Sequence, residues 1–142
     1  MKTNKIIITG IAGGVAFFIF YWLLYGLLAM DYISDHTAHQ EVYRKQNETV
    51  WWSMILSNFA LGFFFTVILS MLAKVPTIAE GMSIGALLGV LMTISTDLMD
   101  YSMIDFMGLH AIAADVIVYG VMCSLSCGVI VWVMRQGTKK ES

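Results

Sequence analysis

Charge and proline are scarce in this chain. Only 13% of its 142 residues are charged and a single proline, Pro76, interrupts it, whereas 58% are hydrophobic. A water-soluble domain of this size cannot hide that much apolar surface, so part of its solvent must be lipid. The only cysteines, Cys123 and Cys127, stand four apart, and the absence of C-x-x-C removes the chemistry of a membrane thiol oxidoreductase. That helical spacing is also poor for a disulfide, so both read as small packing residues. No Walker loop, nucleophile elbow or H-E-x-x-H occurs, which leaves hydrolase and NTPase readings without support, while an intramembrane enzyme using the acid and histidine residues of the outer link stays open without a substrate. A formal charge of −2 gives no sign of nucleic-acid binding.

What is present is four long apolar runs: 6–30, 50–73, 77–98 and 106–134. Each reaches the roughly 20 residues that a helix needs to cross a hydrocarbon core. The alternation expected of barrel strands is missing, and backbone groups in lipid must be satisfied within the segment, so the runs are helices. The first run is too long for a cleaved leader and has no small-x-small site before Asp31, so it reads as a true span. The expected fold is all-α: one domain over 1–142, a four-helix transmembrane bundle running up-down-up-down, with a longer link at 31–49.

Lys2, Lys5, Lys74, Arg135, Lys139 and Lys140 fall on one side of this arrangement, and only Arg44 and Lys45 on the other. By the positive-inside rule both termini are cytoplasmic. Asp31, Asp35, Glu41, Glu48, Asp100 and Asp105 then lie outside, giving the outer mouth an acidic character.

Lipid tails are as apolar as leucine, so helices associate in a membrane through close packing and interhelical hydrogen bonds, both of which small residues allow. Gly81, Gly85 and Gly89 recur every fourth residue on span 3, and the stripe continues through Thr93 to Asp97. Span 2 carries Asn58, Gly62, Thr66 and Ser70 at the same spacing. The expectation is that spans 2 and 3 pack on each other, or that span 3 packs on span 3 of a second copy.

A carboxylate inside a span is costly, and is a functional pointer for that reason. Asp115 lies within span 4 on a stripe with Tyr119, Met122 and Ser126; Asp97 ends the glycine stripe; His110 is the only histidine inside a span. Asp97, His110, Asp115 and Tyr119 are therefore the candidate polar or transport site, with hydrogen-bonded packing as the plainer alternative. Asp35, His36, His39 and Glu41 in the link offer ligands for a divalent cation, although their spacing matches no closed zinc signature and solvated helix charges explain them as well. Met99, Met103 and Met107 at four-residue spacing are a weaker copper pattern, and "DYSMID" can break the helix that would align them.

Three stretches, "FFIFYWLLYG", "GALLGVLMTISTDLMDY" and "IDFMGLHAIAADVIVYG", make the chain resemble a group of short bacterial four-helix membrane proteins of unknown function. The resemblance covers most of the chain. It implies a compact multi-pass protein of the bacterial inner membrane and carries over no activity. Two functions compete: ion, proton or small-solute transport through an oligomer, and a non-catalytic accessory or scaffold subunit with a membrane-protein partner.

Overall fold

The computed structural model describes residues 3–37, 44, 48–72, 74, 76–105 and 107–139, with side chains described as far as residue 136. Four helices are long and apolar enough to cross a membrane: α1 (Thr3–Asp35), α2 (Trp51–Ser70), α3 (Ile78–Met103) and α4 (Leu109–Lys139). The chain is a four-helix transmembrane bundle. Large apolar side chains such as Leu28, Trp52, Leu87 and Ile117 point outward all round it, a surface that suits lipid and would promote aggregation in water.

Local chemistry sets several of the helix ends. Thr77 and Glu80 form a reciprocal capping box at the start of α3: Glu80 N–H donates to Thr77 Oγ1 at 3.2 Å, and Thr77 N–H to Glu80 Oε2 at 2.7 Å. Thr77→Ala should cost about 1 kcal/mol, read as a lowered unfolding midpoint in detergent, since Glu80 N–H loses its side-chain acceptor. At the other end Ile104 turns extended and stops α3 after Met103. The break ends the methionine pattern as a continuous helical stripe, and Met99 and Met103 are exposed.

In α1 the regular helix gives way to a π-turn at Tyr25–Ala29, where Met30 N–H reaches back five residues to the Tyr25 carbonyl. One extra residue in a turn rotates everything beyond it by roughly 100°. Ala29 and Ile33 are thereby buried against Ala111 of α4. Gly108 N–H donates to the His36 carbonyl at 3.1 Å, tying the end of α1 to the short α3–α4 link. This end of the bundle is called the link end below.

The helices pair by their small residues. Gly62 of α2 meets Gly13 and Gly14 of α1 backbone to backbone, leaving no room for a side-chain carbon. On α3, Gly81 faces Val131, Gly85 faces Cys127 and Gly89 faces Cys123, so each four-residue step along α3 is matched by one in the opposite sense along α4. A Cβ at Gly85 would lie 2.6 Å from the Cys123 carbonyl oxygen and 2.7 Å from Cys127 Sγ. The notches are reciprocal: Val90 and Met82 of α3 lie over Gly120 and Gly128 of α4. The two hairpins meet where α1 packs on α4, around buried Phe17, Phe65, Met122 and Ile130.

The expected contact between spans 2 and 3 is not formed: α2 rests mainly on α1, and α3 on α4. The α2 stripe, with Asn58, Gly62 and Thr66 buried, faces α1. Its polar groups do not reach across to α3. Asn58 Nδ2 donates to the Met54 carbonyl at 2.8 Å, Ser70 Oγ to the Val67 carbonyl at 2.7 Å, and Thr66 Oγ1 is buried without a partner. A groove of small residues accepts whichever helix offers matching relief, and the glycines of α1 match α2 better than anything on α3 does.

Candidate polar site at the link end

The α3–α4 register carries the site with it. Along α4, Asp115, Tyr119, Cys123, Cys127 and Val131 follow one another at four-residue steps; along α3 the opposing stripe runs from Gly81 to Asp97. Where the glycine notches end, Asp97 stands beside Asp115, close enough for the two carboxyl groups to act on each other. Asp97 Oδ2 is buried and has no donor. These facts fit together chemically: two carboxylates are both acceptors, so their contact becomes a hydrogen bond only when one holds a proton. Among the described residues no basic side chain acts on Asp97.

The third member comes from α1. Tyr25 Oη donates to Asp115 Oδ1 at 2.6 Å, a charge-assisted distance if the carboxyl is ionised. Tyr25 is the first residue of the π-turn, a feature that recurs at functional sites in helices. Its ring stacks on Tyr21, centroids 5.0 Å apart. Tyr119, half-buried on α4, lies close enough to act electrostatically on both Tyr25 and Asp115. The cluster therefore draws a phenol from α1, a carboxyl from α3, and a carboxyl and a second phenol from α4.

His110 does not join it. The residue is exposed in the first turn of α4, and its ring meets that of His36 edge-on with centroids 6.2 Å apart. His36 also stacks on Tyr32 at 4.3 Å, and its Nδ1 lies 2.9 Å from the Tyr32 carbonyl, a contact that needs the proton on Nδ1. Asp35 is exposed beside it, while His39 and Glu41 lie outside the described residues. Among the described residues no three His, Cys, Asp or Glu side chains converge as a metal-ligand set.

Cys123 and Cys127 are buried free thiols that fill the notches at Gly89 and Gly85. Tyr25 is the site residue that sequence reasoning missed. A tyrosine toward a span's end invites an interfacial reading, and a continuous helical period misplaces side chains beyond a π-turn. The available signal was a Tyr21–Tyr25 pair one turn apart in otherwise apolar sequence. No family model, curated protein or solved structure matches the chain.

Proposed function

We propose that this membrane protein exchanges protons or small cations at the Asp97–Asp115 carboxyl pair, as the polar site of a transport path. The observation that carries this reading is the pair itself: two adjacent acids in apolar helices, bound by a phenol and, among the described residues, by no base. Keeping both acids ionised side by side inside a membrane is costly, so the pair calls for a cation, a proton in the simplest case. A site that must hold a proton in one state and can release it in another has the minimum property of a proton carrier. Tyr25 holds one oxygen of the pair, its hydroxyl donating to Asp115 Oδ1.

Beyond the site the bundle interior is filled by Phe17, Phe65, Met122 and Ile130, so the described residues of one chain enclose no route to the far side. The path in this reading runs along a face completed by a second copy. The face of α3 turned away from α4 leaves Leu87 and Leu91 exposed for such a contact. The same exposed helix favours the second reading, an accessory subunit docked through α3.

Flux separates the two. Purified protein in liposomes, followed with an enclosed pH-sensitive dye, should carry protons above the empty-vesicle background. Asp115→Asn should return the signal to background with oligomer size unchanged, and Tyr25→Phe should leave a reduced flux. Background-level flux from the unaltered chain rejects transport; full flux from Asp115→Asn rejects this site.

A further inference from the structure

Because α2 leans on α1 and hardly touches α4, a groove of about 760 Å³ opens between them near the link end. This is within the size of small-ligand sites, about 300–1,000 Å³. Its lining changes with depth. Arg44 and Trp52 stand at the mouth, Ser57 and Asn58 follow along α2, and Leu61 and Met122 lie deepest, with Tyr21 of α1 and Tyr119 of α4 also lining the groove. From Trp52 to Leu61 the groove descends roughly 14 Å along the helix axis at 1.5 Å per residue. A tryptophan at the first turn of a span marks headgroup depth, so the mouth lies among headgroups and the floor among acyl chains.

We propose that this groove holds one phospholipid, with its phosphate on Arg44 and one acyl chain lying against Asn58 and Leu61. Among the described residues Arg44 is the only charged one lining the groove, and its planar guanidinium suits a phosphate better than any neutral headgroup. The start of α2, where Val50 provides no side-chain cap, adds the positive end of a helix dipole at the same mouth. Among the described residues the rest of the lining is uncharged and offers nothing that would ask for a second ion. An amphiphile matches both halves, whereas free phosphate would leave the apolar half empty.

The groove shares Tyr119 with the polar cluster, so its test reads lipid retention and not flux. Full-length protein in detergent is titrated with dioleoylphosphatidylglycerol or with dioleoylglycerol, and retained lipid is counted by native mass spectrometry. One phosphatidylglycerol per chain should be retained, and dioleoylglycerol about tenfold less, the worth of one charge-assisted contact. Arg44→Gln should erase that difference, and Ser57→Phe, which fills the groove from an exposed position, should abolish retention of both. In unaltered protein, quenching of Trp52 by brominated acyl chains, obtained by difference from Trp52→Phe, should saturate at low lipid fraction. Equal retention of the two lipids, retention unchanged in Ser57→Phe, or quenching that rises only in proportion to lipid content each overturns the proposal.

Discussion

Asp97→Asn should make the bundle more stable and at the same time stop its proton flux. In the native chain Asp97 Oδ2 is buried without a donor and faces a second acceptor, Asp115. An asparagine of the same shape turns one of those oxygens into an N–H donor. The new amide can give a hydrogen bond to Asp115, whose Oδ1 already accepts from Tyr25. Relief of a buried unsatisfied group and of the like-charge contact should gain about 1–2 kcal/mol. The measurement is unfolding in mixed micelles as the denaturing detergent fraction rises, with liposome flux measured on the same preparation. Opposite signs for stability and activity are the mark of a functional site that costs the fold something. A loss of stability instead would mean that the native carboxylates jointly grip a bridging cation that an amide cannot hold.

The second large effect belongs to the other hairpin. Gly62→Val should destabilise the bundle by at least about 3 kcal/mol, because the added carbons meet backbone, which cannot swing aside as a side chain can. A Cβ at Gly62 would be 2.6 Å from both the Gly13 carbonyl carbon and the Gly14 Cα. The helices would have to separate, and with them the stacked Phe17 and Phe65, whose centroids lie 5.3 Å apart. Gly26→Ala is the control. The nearest atoms to a Cβ there belong to Trp22 at 3.8 Å and beyond, an ordinary contact. That change should stay within about 1 kcal/mol of the native stability, helped by the better helix propensity of alanine. Equal losses from the two variants, in the same micelle titration, would show that the α1–α2 glycine contact contributes nothing special.

Much of the architecture was legible because lipid imposes simple rules. Apolar runs long enough to span, without strand alternation, left only helices, and the bundle has four. The small-residue stripes were equally plain, and each one does lie in a helix contact. Their partners were not readable. A notch at Gly62 or Gly85 states that another backbone comes near but carries no address, and the expectation that spans 2 and 3 would meet failed for that reason. The site was half legible. Asp97 and Asp115 could be singled out as costly acids, whereas His110 was grouped with them on nearness along the chain. It turned instead to the exposed end, beside His36.

By itself the sequence determined a membrane protein of four helices, which faces of those helices lack bulk, and which carboxyl groups sit where lipid would punish them. Those follow from composition and a helical period, both local properties. Only tertiary structure decided that α3 lies on α4 in a register that sets Asp97 against Asp115, and that a π-turn brings Tyr25 to the same point. Pairing and register are settled by how notches and side chains interlock between distant segments, and a single extra residue in one turn re-aims every group after it.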